Sequence, residues 1–208
     1  MCKKINYSLY LISDRNESLD EFLYKIEQSI LGGVKIVQLR EKNCSTLEYI
    51  EIGKRVKALT DSYNIPLIVN DRIDVALAID ASGIHLGQED MPLDIARRIM
   101  GTEKLIGIST RNIDEATKAE INGADYIGVG AIFETDTKSD ARKIHFDDIK
   151  KIKSSVDIPV LGIGGINKDN IHIVKMLNLD GICISSGILR DKNPKEAANI
   201  LVEKFMSL

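Results

Sequence analysis

Val34-Lys35-Ile36-Val37-Gln38-Leu39-Arg40-Glu41-Lys42 is the stretch that decides how the chain reads. Val34, Ile36, Val37 and Leu39 make a short apolar run with no turn residue before Arg40. Runs of this kind suit a strand covered on both faces, as in parallel sheets flanked by helices. The cations at its end have two readings: a solvated strand end with a chance charge cluster, or a place where a ligand meets them. In α/β folds the carboxyl ends of parallel strands are where ligands bind. The same grammar recurs down the chain, and the recurrence favours the ligand.

Before this strand, Leu9 to Ile12 reads as a strand ending in Ser13 and Asp14. Ser18 with Glu21 then caps a helix whose apolar face is Leu19, Phe22, Leu23, Ile26 and Ile30, stopped by Gly32 and Gly33. After it, Ser45 and Glu48 open a helix to about Tyr63, and Leu67 to Val69 is a strand ending in Asn70, Asp71 and Arg72. A helix from Ile73 precedes the strand Ile84 to Leu86, which runs into Gly87, Gln88, Glu89 and Asp90; Pro92 suits the first turn of the next helix. Leu105 to Ile108 is a strand ending in Ser109, Asn112 with Glu115 caps a helix, and Tyr126 to Val129 is a strand. A longer connection, Gly130 to Lys143, leads to a helix from Phe146 to about Ser154. Pro159 to Ile163 runs into Gly164 and Gly165, Asn167 to Leu177 reads as a helix, and Gly181 to Ile184 runs into Ser185, Ser186 and Gly187. Pro194 begins a last helix to about Phe205.

Eight strands alternating with eight helices predict a single α/β domain over residues 1–208, a TIM-type (β/α)8 barrel, where an open doubly wound sheet usually has five or six strands. The composition agrees with one soluble core: 44% hydrophobic and 28% charged residues. A net charge of -3 gives no general attraction for nucleic acid or anionic membrane, so an anion must be held by local cations. The opening residues are too polar for a signal sequence, and no apolar run approaches the roughly 18 residues of a membrane span, so a cytoplasmic protein is expected. Cys2, Cys44 and Cys183 are far apart and form no CxxC pair, which indicates neither a disulfide framework nor a zinc site.

In a barrel the loops after the strands build the site on one face. Here they supply Gln38, Arg40 and Lys42; Asn70 and Asp71; Gln88, Glu89 and Asp90; Ser109; Thr135, Thr137 and Lys138; Gly164 and Gly165; and Ser185 and Ser186. Cations, hydroxyls and two glycine-bearing turns read as a site for phosphorylated ligands. Gly162 to Gly165 and Ile184 to Gly187 follow the seventh and eighth strands, where such barrels bind phosphate, although tight-turn glycines would look the same. Asp71 and Asp90 follow neighbouring strands and can converge on one Mg²⁺; capping of the next helix explains Asp71 equally well. Arg40, Lys42 and Lys138 fit a pyrophosphate, with a solvated loop lysine as the other reading of Lys138.

Other chemistries lose ground. His85 lies inside a strand and reads as a packed or hydrogen-bonded residue, and His145 and His172 sit at helix starts as surface residues. There is no Ser-His-Asp logic, no Cys-His pair and no dinucleotide glycine pattern after the first strand. Lys35 is the only strand lysine, and it sits at the wrong face for a Schiff base.

Seven segments carry a resemblance: LYLISD from Leu9, QLREK from Gln38 to Lys42, VNDR from Val69, GIHLGQEDMP from Gly83, GIS from Gly107, GADYIGVGAIFETDTK from Gly123 to Lys138, and GIGGI from Gly162. In this order, over nearly the whole chain, they resemble the thiamine-phosphate synthase family. The resemblance implies a transferase of thiamine biosynthesis, using Mg²⁺, that joins a hydroxymethylpyrimidine pyrophosphate to a thiazole phosphate and releases pyrophosphate. It implies that Gln38, Leu39, Arg40, Glu41, Lys42, Asn70, Ser109 and Lys138 contact the pyrimidine pyrophosphate, with Arg40, Lys42, Ser109 and Lys138 acting in catalysis. It further implies Mg²⁺ on Asp71 and Asp90, and the thiazole phosphate on Thr135, Asp136, Thr137, Gly165, Ser185 and Ser186. The implied mechanism is dissociative, so no protein nucleophile is needed.

The chain departs from the family pattern at Ala131 and Glu134, where proline is frequent, and at Arg111, where histidine is frequent; Ser185 and Gly187 vary the last phosphate loop. These departures bear on affinity more than on reaction type. Alternatives are a thiazole tautomerase on the same barrel, which carries a histidine where this chain has Ala131, and a catalytically silent barrel that binds thiamine precursors. A phosphosugar isomerase leaves Gln38 to Lys42 and both aspartates without a task. Homo-oligomerisation is not readable from the sequence.

Overall fold

A computed structural model describes residues 5–135 and 143–207. Eight parallel strands close on themselves in sequence order: β1 (Leu9–Ile12), β2 (Ile36–Leu39), β3 (Leu67–Asn70), β4 (Gly83–Leu86), β5 (Leu105–Thr110), β6 (Tyr126–Val129), β7 (Val160–Ile163) and β8 (Gly181–Ile184). The seam is the pairing of β1 with β8, in which Tyr10 stands opposite Cys183. Around the barrel lie α1 (Leu19–Leu31), α2 (Thr46–Ser62), α3 (Ile73–Ala78), α4 (Leu93–Met100), α5 (Ile113–Ile121), α6 (Phe146–Ser154), α7 (Ile171–Lys175), the short α8 (Ser186–Leu189) and α9 (Pro194–Met206). This is the TIM-type (β/α)8 architecture. No helix among the described residues is long and apolar enough to cross a membrane.

Each strand divides its residues between two apolar layers, because successive side chains point to opposite faces. Tyr10, Ile12, Ile36, Ile68, Tyr126, Leu161 and Cys183 fill the barrel interior. Their neighbours Leu9, Leu11, Val37, Leu39, Leu67, Val69, Ile127 and Val129 face the helices, in a layer with Phe22, Ile26, Tyr49 and Val56. Full burial of each aliphatic side chain in these layers is worth roughly 1.5–3 kcal/mol. Both sides of the sheet are therefore apolar, which is why the strands read as near-continuous runs. Cys44 and Cys183 are free thiols, and burial is the main cause that pushes both above the ordinary thiol range.

The helix starts follow their caps. The Ser45 side chain accepts from the Glu48 amide while the Glu48 carboxylate accepts from the Ser45 amide. Ser18, Asn112 and Asn193 accept in the same way from Glu21, Glu115 and Glu196. Three differences from the sequence expectation have local causes. Val34 and Lys35 precede β2, since the Val34 amide bonds back to Ser29 of α1. The segment from Asn167 does not become helical until Ile171, because the Asn167 and Asn170 side chains take up backbone amides of that turn. Ser186 to Leu189 form a turn of helix where a loop was expected.

Candidate active site at the carboxyl ends of the strands

The ends of β1 and β2 are tied together first. The Ser13 hydroxyl accepts from the Arg40 amide at 2.7 Å, and the Ser13 amide donates to the Gln38 carbonyl at 2.9 Å. Beyond this tie the Arg15 guanidinium grips the Glu41 carboxylate through two bonds of 3.0 and 3.1 Å. Glu41 is thus committed to holding its own loop, with its side chain only 7% exposed. Alternation along β2 sends Gln38 into the barrel and Leu39 outward among the helices, where the Leu39 carbonyl accepts from the Tyr49 hydroxyl at 2.7 Å. Leu39 therefore offers the mouth no side chain. Arg40 and Lys42 remain without an ion-pair partner among the described residues, Arg40 half-buried and Lys42 exposed.

Beside them stands a carboxylate pair. Asp71, just past β3, adopts φ +61°, a left-handed conformation that Asp tolerates at some cost. Its amide is held by the His85 carbonyl of β4 at 2.9 Å. Asp71 does not cap α3: the N-cap is Arg72, which makes no side-chain cap bond. Its carboxyl group lies within electrostatic reach of that of Asp90, which accepts from the Gly87 amide at 2.6 Å. Burial, then the Asp90 carboxyl, push Asp71 up to about 6, while Lys42 and Asn70 pull against them. Two neighbouring carboxyl groups disfavour being charged together, a cost that a divalent cation between them would relieve. No cluster of three or more His, Cys, Asp or Glu ligands exists among the described residues. Two carboxylates alone suit Mg²⁺, which keeps water and substrate phosphate oxygens as its remaining ligands.

The opposite side of the mouth is built from backbone. Gly164 and Gly165 follow β7 at φ +98° and +64°. A Cβ at Gly165 would lie 2.8 Å from Phe133 Cβ, so glycine is required by space as well as by dihedral. The loop after β6 runs along this turn, with the Phe133 amide donating to the Gly164 carbonyl at 3.0 Å. α8 packs against the same turn, close enough that a side chain at Gly187 would meet the Ile166 carbonyl at 3.0 Å. The Ser185 hydroxyl is buried and has no hydrogen-bond partner among the described residues. Buried hydroxyls are normally bonded, so this one has capacity for a partner that the described residues do not supply. Thr135 ends the described part of the β6 loop; Asp136, Thr137 and Lys138 lie outside the described residues.

Beneath the mouth, polar side chains cross the barrel. Gln38 Nε2 donates to the Tyr10 hydroxyl at 2.8 Å, Tyr10 meets the Tyr126 hydroxyl at 2.9 Å, Tyr126 meets His85 Nδ1 at 3.2 Å, and His85 Nε2 meets the Ser109 hydroxyl at 3.0 Å. Gln88 fixes Ser109 from the other side, donating to its carbonyl at 2.7 Å. Tyr10, Tyr126 and Arg15 were not among the sequence candidates. The available signal was period two: both tyrosines share the inward phase of their strands, as do Gln38 and His85. His145 and His172 are exposed.

Comparison with known proteins gives this arrangement a family. A family model described as thiamine monophosphate synthase matches residues 9–188. The chain is 50% identical to a thiamine-phosphate synthase of Alkaliphilus oremlandii over 95% of both chains. It is also 50% identical to that of Clostridium acetobutylicum, over 97% of this chain and 96% of the relative. A solved structure, thiamine phosphate pyrophosphorylase from Pyrococcus furiosus, superposes with a TM-score of 0.87 at 38% identity over 98% of each chain. A match over this length means that the chain belongs to the thiamine-phosphate synthase family of transferases.

Proposed function

We propose that this protein condenses a hydroxymethylpyrimidine pyrophosphate with a thiazole phosphate, in the cytoplasm and with Mg²⁺, giving thiamine phosphate and pyrophosphate. The observation that carries the reading is the Asp71–Asp90 pair with Lys42 acting on it, at a mouth where Arg40 and Lys42 have no ion-pair partner among the described residues. In this assignment Gln38 and Ser109 flank the pyrimidine, and Asn70, Arg40, Lys42 and Lys138 receive the pyrophosphate. The Gly165 turn, Ser185, Ser186 and Thr135 to Thr137 receive the thiazole phosphate. Leu39 and Glu41 take part through backbone and loop position, since their side chains are already committed.

The chemistry follows from charge. The methylene C–O bond to pyrophosphate breaks, the leaving group takes the electron pair, and the pyrimidine methylene becomes a carbocation. The thiazole nitrogen then donates its pair to form the new C–N bond. Its barrier lies in separating a multiply charged anion from a cation. Arg40 and Lys42, carried at the mouth by the loop after β2, stabilise the charge that develops on the leaving oxygen. Asp71 and Asp90 would hold Mg²⁺, which when bound neutralises pyrophosphate charge. Ala131 is a buried methyl packed against Gly164, so the position offers no acid or base for a tautomerase.

The test is to mix purified protein with both substrates, with Mg²⁺ or with a chelator. Thiamine phosphate and pyrophosphate are expected in equal amounts and only with metal. Bound substrates without product would overturn the assignment.

A further inference from the structure

We propose that the buried chain Gln38–Tyr10–Tyr126–His85–Ser109 is a one-way hydrogen-bond relay that fixes which end of the site accepts and which end donates. This rests on the pyrimidine lying between Gln38 and Ser109, as assigned above. The direction follows from counting protons. Gln38 Nε2 donates to Tyr10, so the Tyr10 oxygen is already an acceptor there. Tyr10 is fully buried, and its hydroxyl proton has one acceptor among the described residues, the Tyr126 oxygen at 2.9 Å. Tyr126 then gives its own proton to His85 Nδ1. A ring nitrogen that accepts carries no proton, so His85 is the neutral Nε2–H tautomer and donates to the Ser109 oxygen. Among the described residues the Ser109 O–H has no acceptor and is left to donate into the mouth, while Gln38 presents its Oε1 as an acceptor. An aminopyrimidine carries the complementary set, an amine that donates and ring nitrogens that accept.

Two further observations show that the relay is built in. A Cβ at Gly107 would lie 2.5 Å from Tyr126 Cε2, so a glycine on β5 makes the room that the Tyr126 ring occupies. Burial drives both phenols far above their ordinary range, so each keeps the proton it must pass on. Tyr10, Tyr126 and His85 are thus positioning residues. They touch no reacting atom, yet a change at any of them alters what Gln38 and Ser109 offer.

The relay predicts a readout that packing alone does not move. The chain has three histidines, and ¹⁵N spectra of the imidazoles in ligand-free protein, with His85 identified by its loss in His85→Asn, report the tautomer directly. The wild-type protein is expected to show His85 as a single Nε2–H form, and Tyr126→Phe a mixture of both tautomers. With substrates, Tyr126→Phe is expected to raise the KM for the pyrimidine pyrophosphate about tenfold, the scale of one hydrogen bond, and to leave the thiazole KM unchanged. Tyr10→Phe cuts the relay one link earlier and gives the same test if Tyr126→Phe does not fold. An Nδ1–H form in the wild type, or the same tautomer in wild type and variants, overturns the relay. A tautomer shift with an unchanged pyrimidine KM overturns its role in recognition. Because the spectra need no substrate, they decide the relay even if no thiamine phosphate is formed.

Discussion

Asp71 concentrates the cost of the site in one residue. It sits at φ +61°, partly buried, with a second carboxyl group close enough to raise its own pKa. Its folded value of about 6 lies above the ordinary 3.8, so metal-free folding favours its protonated form. This contribution is fully present below pH about 4 and is lost as pH rises through about 6. In chelator, wild-type Tm relative to Asp71→Asn is therefore expected to fall over that window, and a difference that is flat with pH would refute the assignment. With Mg²⁺ the order reverses in function, and Asp71→Asn is expected to lose at least ~100-fold in turnover, about the scale of one preorganised electrostatic group. Arg15 acts at the same scale without touching substrate. Arg15→Ala leaves the Glu41 carboxylate nearly buried and unpaired, which is expected to lower stability by about 1–3 kcal/mol. Kinetics should show a raised pyrimidine KM and an unaltered thiazole KM.

At the level of elements, the glycines decide what can be changed. Gly165→Ala places a methyl against Phe133 and the Glu134 carbonyl in a left-handed turn, so a loss of about 1–3 kcal/mol and a raised thiazole-phosphate KM are expected, read by denaturant melts and initial rates. The strands were legible because Leu67 to Val69 or Tyr126 to Val129 are apolar on both faces, and the helix starts because Ser45, Asn112 and Asn193 carry the right acceptors. The start of α7 was not, since Asn167 and Asn170 compete locally for the amides a helix would use. At the mouth, Asp71 and Asp90 could be placed side by side from strand order alone. The Arg15–Glu41 grip and the tyrosine relay could not, because they join residues 26 and 116 positions apart whose partners are set by barrel closure.

The whole molecule carries a net charge of -3, yet its mouth gathers Arg40 and Lys42 without carboxylate partners among the described residues. Attraction of a pyrophosphate is therefore local and only partly shielded by the protein's own charge. Raising ionic strength from 0.05 to 0.5 M shortens the screening distance to below ~5 Å, and kcat/KM for the pyrimidine substrate is expected to fall several-fold while the Tm changes little. A salt-independent kcat/KM would mean that these cations do not meet the leaving group. The seam between β1 and β8 has a consequence for how the protein comes into being. While a ribosome is still making β8, the nascent chain already owns both aspartates, both cations and every member of the tyrosine relay. It is nonetheless an open sheet, with unpaired edges on β1 and β7 and nothing to bring the two sides of the mouth together. Closure of the sheet thus waits on a late event, the arrival of one four-residue strand, and a truncation just before Gly181 should yield aggregation and not a weakened catalyst.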